Sequence, residues 1–179
     1  MAWTDQVDRV LFTQQQIAAR VDELARQVQR DYCSLNPTLI GILTGSFVFM
    51  ADLLRRLDFD LRVDFMAVSS YEDGTVSSGK VRITKDLDHD IAGKHLLIIE
   101  DIIDTGQTLK QLTGVLADRG PESIRLCCLL DKPSRRVAEI SADYTGFTIP
   151  DAFVVGYGLD YAQAYRHLPY IAVLKPQGD

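Results

Sequence analysis

The sequence predicts an α/β fold with a central, mostly parallel twisted sheet flanked by helices. Two segments, 38–54 and 96–116, follow the order strand, polar turn and helix. Two apolar runs, 96–99 and 124–130, lack alternation, which is typical of strands that are covered on both faces. The length of 179 residues suits one domain, 1–179, whose core is large enough to need no disulfide or metal.

The first helix is predicted behind a capping box, in which Thr13 caps the helix and Gln16 reaches back. Apolar residues then recur on one helical face, at Ile17, Val21, Leu24, Ala25 and Val28. A short strand is predicted at Thr38–Leu43. The turn Thr44-Gly45-Ser46 leads from it into a second helical face that starts at Phe47.

Alternation over 61–68 predicts the next strand, and 81–84 could be its returning partner. The polar segment 72–80 between them contains two glycines and predicts a mobile loop or long hairpin. Aspartates at 86, 88 and 90 follow. Because the flanking sequence lacks the glycine and the terminal glutamate of a calcium loop, we interpret them as a solvated turn.

The central stretch 96–109 reads Leu-Leu-Ile-Ile-Glu-Asp-Ile-Ile-Asp-Thr-Gly-Gln-Thr-Leu. Its apolar start predicts a buried strand that ends where Glu100 and Asp101 stand side by side. A polar turn at 104–108 follows, and helical spacing begins at Leu109. Because ligands of open α/β sheets bind at the carboxyl ends of strands, function is expected here.

The C-terminal third is predicted to hold three more strands. The first, 124–130, looks buried and ends in Asp131-Lys132-Pro133. A further strand is expected at 153–158, one helical turn at 162–167, and a last short strand at 170–174.

Composition excludes several partners and compartments. A formal net charge of −6 and a pI near 5.0 argue against nucleic acid and anionic membranes as partners. No apolar run approaches the ~20 residues of a membrane span, and residues 1–9 lack a signal-peptide pattern, so a cytoplasmic protein is expected. Cys33, Cys127 and Cys128 lack framework spacing and are predicted to be reduced and mostly buried.

The residues of the central stretch suggest a phosphorylated ligand. At 104–108, a helix N-terminus, a glycine and two threonine hydroxyls could cradle one phosphate, although Asp104 or Thr105 could simply cap the helix. Glu100 and Asp101 repel each other and are costly to desolvate unless a cation or hydroxyls lie beside them. Together these features fit a phosphorylated sugar with Mg²⁺, which binds through one or two carboxylates and substrate oxygens.

The same stretch closely resembles the phosphoribosyl-pyrophosphate (PRPP) signature of the type I phosphoribosyltransferases. Its Glu-Asp-Ile-Ile-Asp-Thr-Gly form resembles the 6-oxopurine branch, the hypoxanthine-guanine phosphoribosyltransferases. Further segments follow in the family's order, at 43–47, 69–71, 130–133, 149–161 and Arg166. The resemblance covers roughly residues 10–175 and implies a small hood, a mobile lid loop, and a homodimer or homotetramer.

The resemblance implies a PRPP site formed by Thr44, Gly45, Glu100, Asp101, Asp104, Thr105, Gly106, Gln107, Thr108 and Arg166. In that site Glu100 and Asp101 hold the ribose hydroxyls and Mg²⁺, and 104–108 hold the 5′-phosphate. Arg166 pairs with pyrophosphate, and the turn at Thr44-Gly45, which in the family includes a cis non-proline peptide, contacts it too.

Catalysis and purine binding are also implied by the resemblance. Asp104 acts as the general base at the purine N7. Lys132 donates to the purine O6, Phe153 stacks on the base, and Val154 binds it through its main chain. Asp160 supports a second Mg²⁺ and lies near the purine 2-position.

The lid is implied to start at Ser70 and Tyr71 and to exclude water from the reaction. The implied reaction moves the 5-phosphoribosyl group from PRPP to N9 of hypoxanthine and/or guanine. It yields IMP or GMP and pyrophosphate, with Mg²⁺ as cofactor.

Two other classes of protein were weighed against the purine salvage enzyme. A PRPP-sensing regulatory protein on the same fold that binds nucleic acid should show a basic face or an added DNA-binding domain. The acidic composition counts against it. A phospho-acceptor receiver domain should spread its acids over two strands, whereas here they follow one.

Overall fold

The computed structural model describes residues 6–70 and 81–175, with the side chain of Ser70 excepted. The predicted lid from Tyr71 to Lys80 and the side chain of Ser70 at its base therefore lie outside the described part of the chain. The strands are β1 Val7–Phe12, β2 Thr38–Leu43, β3 Arg62–Ser70, β4 Val81–Lys85, β5 His95–Ile103, β6 Ser123–Asp131, β7 Tyr144–Thr148, β8 Val154–Val155 and β9 Ile171–Leu174. The helices are α1 Gln14–Tyr32, α2 Phe47–Leu54 and α3 Gln107–Ala117.

Six strands form the main sheet in the order β4-β3-β2-β5-β6-β7. Every pair in it is parallel except β3 with β4, so the predicted mostly parallel sheet is confirmed. β5 lies between β2 and β6, and its residues 96–99 are fully buried. This accounts for the continuous apolar run, because helices cover both faces of a central parallel strand.

The two faces of the sheet carry separate apolar cores. Leu97 and Ile99 of β5 pack with residues of α1 and α2, whereas Leu96 and Ile98 pack with residues of α3. The cysteines of β6 divide in the same way, Cys127 to the first core and Cys128 to the second. Both are buried and free, as predicted, but Cys33 is exposed.

Helix α1 begins as the sequence predicts. Thr13 Oγ1 accepts from the Gln16 N–H at 3.3 Å, and Gln16 Oε1 accepts from the Thr13 N–H at 2.9 Å. The predicted apolar face is buried at Ile17, Val21, Leu24, Ala25 and Val28. No described helix has the length and apolar character needed to cross a membrane.

A second, three-stranded antiparallel sheet has the order β1-β9-β8. It corresponds to the hood that the resemblance implies. β9 confirms the predicted last strand, whereas β1 and the edge strand β7 were not predicted. The predicted strand 153–158 is wrong beyond Val155, because Gly156, Tyr157 and Gly158 all have positive φ and turn the chain out of the sheet.

The predicted helical turn at 162–167 is also wrong. Ala162, Gln163 and Tyr165 have φ of +49°, +67° and +73°, which a right-handed helix excludes. The segment instead turns back on itself, and Arg166 O accepts from the Gly158 N–H at 3.0 Å. This brings Arg166 to the end of the main sheet.

β5 continues four residues further than predicted. Glu100 and Asp101 therefore lie within the strand and not after it. The alternation of faces is interrupted at this pair, since Ile98 and Ile103 share one core while Ile99 and Ile102 pack on the other. The interruption lets both carboxylates line the same cavity.

Candidate active site

A cavity of about 380 Å³ opens at the carboxyl ends of β2 and β5, where α3 begins. Nine of the ten residues predicted to bind PRPP line it, and they are Thr44, Gly45, Glu100, Asp101, Asp104, Thr105, Gly106, Thr108 and Arg166. Gln107, the first residue of α3, does not line the cavity and is exposed.

A second cavity of about 240 Å³ adjoins the first. It contains the residues predicted to bind the purine, which are Lys132, Phe153, Val154 and Asp160. The two cavities share Asp101, Ile102, Asp104 and Asp160. A ligand that extends from one cavity into the other would therefore pass Asp104.

The carboxyls of Glu100 and Asp101 are buried side by side with no cationic side chain in an ion pair with either of them among the described residues. Glu100 Oε2 is buried and has no hydrogen-bond partner among the described residues. Burial, and then the charge of Asp101, raise the pKa of Glu100 well above its usual value. Burial raises the pKa of Asp101 to about 6, although the Ile102 N–H donates to its Oδ1 at 2.7 Å. A divalent cation would relieve both costs.

We expect the metal-free variant Glu100→Gln/Asp101→Asn to be more stable than the wild type at pH 8. Both carboxyls have a higher pKa folded than unfolded, so their ionisation destabilises the fold as the pH rises from about 4 through about 6 and above. Removing the two buried charges should raise the free energy of unfolding by about 1–3 kcal/mol. This gain should raise Tm by roughly 3–10 °C. Thermal melts in EDTA should show this gain shrinking as the pH approaches 4. A lower Tm for the variant at pH 8 would contradict the prediction.

The turn before α2 brings backbone unusually close to these carboxylates. A Cβ on Gly45 would lie 1.6 Å from Asp101 Oδ2, so only glycine fits. The Leu43–Thr44 peptide bond is cis, as the resemblance implies. Ser46 Oγ donates to Ile42 O at 2.6 Å, which holds the turn against the end of β2.

The loop at 104–108 has the form of an anion cradle. The N-cap of α3 is Gly106, with φ of +78° and no capping side chain of its own. Thr105 Oγ1 accepts from the Gln107 N–H at 3.5 Å, which is a long capping contact, whereas Asp104 accepts from no N–H of α3 among the described residues. Within residues 6–70 and 81–175, the N–H groups of Thr105 and Gly106 donate to no protein oxygen. They are available to an anion at the positive end of the helix dipole.

Four charged side chains, Asp104, Lys132, Arg135 and Asp151, form a cluster beside the second cavity, and Asp104 is the member that lines both cavities. Lys132 Nζ lies 3.9 Å from Asp104 Oδ2 and 3.8 Å from Asp151 Oδ1. Arg135 Nε lies 3.2 Å from Asp104 Oδ1, but this buried oxygen accepts no hydrogen bond in the described part of the chain. Lys132 is only 7% exposed. A lysine considered alone in the sequence would be predicted to lie at the surface, but Lys132 is buried.

Sequence reasoning assigned no role to Arg135, Asp151 or Tyr161. The rings of Tyr161 and Phe153 form a T-shaped pair, with centroids 5.5 Å apart and planes at 87°. Because Phe153 is 56% exposed, its ring remains available for stacking beside the second cavity. Asp151 and Tyr161 lie in the segment 149–161, which follows the family's order, and Arg135 lies outside the matched segments. Only the fold shows that all three contact residues of the site.

Asp160 and Arg166 also line the larger cavity. Asp160 Oδ1 lies 2.8 Å from Arg166 Nη2, and its Oδ2 accepts from the Gln163 N–H at 2.8 Å. Arg166 Nη1 donates to Gly158 O at 2.7 Å. The pair supplies a fixed guanidinium in the same cavity as the carboxylates of β5.

Comparison with known proteins agrees with this geometry. The family model of the phosphoribosyl transferase domain matches residues 9–162, and the chain belongs to this family. The hypoxanthine-guanine phosphoribosyltransferase of Streptococcus pneumoniae is 52% identical over 171 residues, covering 96% of this chain and 95% of the relative. The enzyme of the same name from Bacillus subtilis is 52% identical over 170 residues, covering 95% of this chain and 94% of the relative.

A solved structure of a hypoxanthine phosphoribosyltransferase from Staphylococcus aureus superposes with a TM-score of 0.93 at 50% identity. The superposition covers 96% of this chain and 94% of the Staphylococcus aureus chain. The resemblance to the 6-oxopurine branch, read from the motifs, is confirmed by these relatives.

Proposed function

We propose that this chain moves the 5-phosphoribosyl group from PRPP to N9 of a 6-oxopurine, releasing pyrophosphate. The observation that carries the proposal is the pair of cavities joined at Asp104. One has the donors for a phosphorylated sugar, and the other has Lys132 and Phe153 for a base. Family membership and about 50% identity to hypoxanthine-guanine phosphoribosyltransferases support the same reaction, which serves purine salvage.

In this proposal the larger cavity holds PRPP. The free N–H groups of Thr105 and Gly106, with the hydroxyls of Thr105 and Thr108, hold the 5′-phosphate. Arg166 and the turn at Thr44-Gly45 contact the pyrophosphate.

We propose Mg²⁺ as the cofactor, because Glu100 Oε2 is a buried carboxyl oxygen in the cavity wall with no hydrogen-bond partner among the described residues. Within residues 6–70 and 81–175, no cluster of three or more His, Cys, Asp or Glu side chains could hold a metal alone. This fits Mg²⁺ held by Glu100 and Asp101 together with substrate oxygens, with Asp160 supporting a second ion. Bound there, it supplies positive charge that stabilises the departing pyrophosphate.

The proposed chemistry of the chain centres on Asp104 and Lys132. As N9 bonds to the ribose C1′ and pyrophosphate leaves, the Asp104 carboxylate accepts the proton from the purine N7. Lys132 Nζ donates a hydrogen bond to O6. The Phe153 ring stacks on the base, worth about 1–3 kcal/mol by analogy with other base–aromatic stacking.

The remaining parts of the proposal concern the setting of the enzyme. We propose a homodimer or homotetramer, a lid that starts at Ser70 and Tyr71, and a cytoplasmic location. The free, buried thiols of Cys127 and Cys128 fit a reducing compartment.

The reaction is tested by incubating the protein with PRPP and Mg²⁺ and measuring pyrophosphate release. We expect turnover with hypoxanthine or guanine, a rate with adenine lower by up to ~10⁴-fold, and none with uracil. Excess EDTA should abolish turnover, and added Mg²⁺ should restore it. A protein that only senses PRPP would bind it without releasing pyrophosphate, and that outcome with every 6-oxopurine would refute the enzyme.

A further inference from the structure

Arg136 makes a set of contacts that none of the proposed functions uses. Its side chain is only 17% exposed. Nε donates to Asp104 O at 3.1 Å, and Nη2 donates to Ile103 O at 3.2 Å. The same guanidinium also donates to Ile140 O and to the Asp131 carboxylate. One arginine thus holds two consecutive carbonyls where β5 becomes the 104–108 loop.

The two residues that follow Arg136 hold the next carbonyl of the loop, that of Thr105. The N–H groups of Val137 and Ala138 both donate to Thr105 O, at 3.0 and 3.1 Å. The packing is tight, since a Cβ on Gly106 would lie 3.0 Å from Arg136 Cδ. The carbonyls of Asp104 and Thr105 are therefore held from one side by the segment 136–138, and Ile103 O accepts both from Arg136 and from the Lys132 N–H at 3.0 Å.

Holding these carbonyls fixes the direction of the N–H groups in the same peptides. In a planar trans peptide the C=O of one residue and the N–H of the next point in opposite directions. The carbonyls of Asp104 and Thr105 face the segment 136–138, so the N–H groups of Thr105 and Gly106 point away from it. These N–H groups donate to no oxygen of the described residues, and both residues line the larger cavity.

We propose that Arg136 is a positioning residue for PRPP, which orients the N–H groups of the phosphate loop without touching the substrate. The proposal rests on the proposed function for the identity of the ligand. Without the guanidinium, Asp104 O loses its donor among the described residues, whereas Ile103 O keeps the Lys132 N–H and Thr105 O keeps the N–H groups of Val137 and Ala138. The peptide that carries the Thr105 N–H can then rotate, and a donor that rotates no longer converges with its neighbour on one phosphate.

The test measures the Kd for PRPP with Mg²⁺ and no base, by calorimetry, on folded protein. We expect Arg136→Met to raise the Kd by at least ~10-fold, the scale set by hydrogen bonds from a charged donor. Arg136→Lys keeps the charge beside Asp131 but cannot span both carbonyls. It should therefore give a smaller increase in the Kd.

Arg20 offers a matched control. It also donates to two consecutive carbonyls, Gly146 O and Thr145 O, both at 2.7 Å, but it joins α1 to β7 and lines neither cavity. Arg20→Met should lower Tm as Arg136→Met does, while its Kd for PRPP stays at the wild-type value. A purely structural role for Arg136 would change Tm alone.

The outcomes separate the two proposals. A wild-type protein that neither binds nor turns over PRPP overturns the proposed function. Wild-type binding together with an unchanged Kd in Arg136→Met overturns only the role of Arg136. If Arg136→Met does not fold, Arg136→Lys decides, and a wild-type Kd in that variant overturns the role.

Discussion

Replacing Asp104 by asparagine should lower kcat by about 10²–10⁴-fold, the contribution of a positioned general base. Asparagine keeps the size of the side chain but cannot accept the N7 proton. The structure gives this substitution a clear meaning, because Asp104 Oδ1 is buried and accepts no hydrogen bond among the described residues. Steady-state kinetics with hypoxanthine at saturating PRPP would measure the loss.

Asp151 provides the matched control for this experiment. It lies 3.8 Å from Lys132 Nζ and 3.8 Å from Arg135 Nη1, so it belongs to the same charged cluster, but it lines neither cavity. Asp151→Asn removes the same charge and should change kcat by less than about threefold, under ~1 kcal/mol in the barrier. Equal losses in both variants would assign the effect to the charge of the cluster and would remove Asp104 from proton transfer.

Much of the site could be predicted because its signals are local. A continuous apolar run marks β5, and acids directly after such a run are costly unless they have a use. Glu100, Asp101 and 104–108 lie within nine consecutive residues, so a motif contains most of the PRPP site. Even here the end of β5 was misplaced, because polarity was read as the end of the strand.

The charged cluster and the Arg136 contacts could not be predicted in the same way. Arg136 donates to main-chain carbonyls 32 and 33 positions earlier in the chain, and every residue type presents the same carbonyl. A sequence pattern describes the side chains. It does not predict which main-chain N–H and C=O groups remain without a partner. From sequence alone, an arginine after a strand is predicted to be exposed. Only the structure shows that Arg136 is mostly buried.

The segment after β8 shows a third limit. Its positive φ values occur at Tyr157, Ala162, Gln163 and Tyr165, which are not typical turn residues. Contacts with distant parts of the chain hold this segment, since the Tyr157 hydroxyl donates to Asp52 Oδ2 at 2.6 Å and the Tyr165 hydroxyl donates to Gln6 Oε1 at 2.8 Å. Tertiary structure overrides local preference in the segment that carries Asp160 and Arg166.

Purine selectivity provides the second large effect, and it depends on Lys132. Its ammonium is 7% exposed, so water cannot readily intervene between it and a base in the second cavity. A 6-oxopurine presents an acceptor to this donor, whereas adenine presents an amino donor, which leaves a buried donor unpaired. We expect Lys132→Met to reduce the ratio of kcat/KM for hypoxanthine over adenine by up to ~10⁴-fold.

A variant of Arg135 is the control that distinguishes a hydrogen bond from Lys132 to the purine O6 from the general effect of a positive charge near Asp104. Both cations lie within 4 Å of carboxylate oxygens of Asp104 and Asp151, but Arg135 does not line the second cavity. Arg135→Met should therefore leave the hypoxanthine-to-adenine ratio near the wild-type value, whatever its effect on the overall rate. If Lys132→Met keeps the wild-type ratio, selection must come from the main chain around Val154. If both variants lose the ratio, the cluster orients the pocket and Lys132 does not read O6 directly.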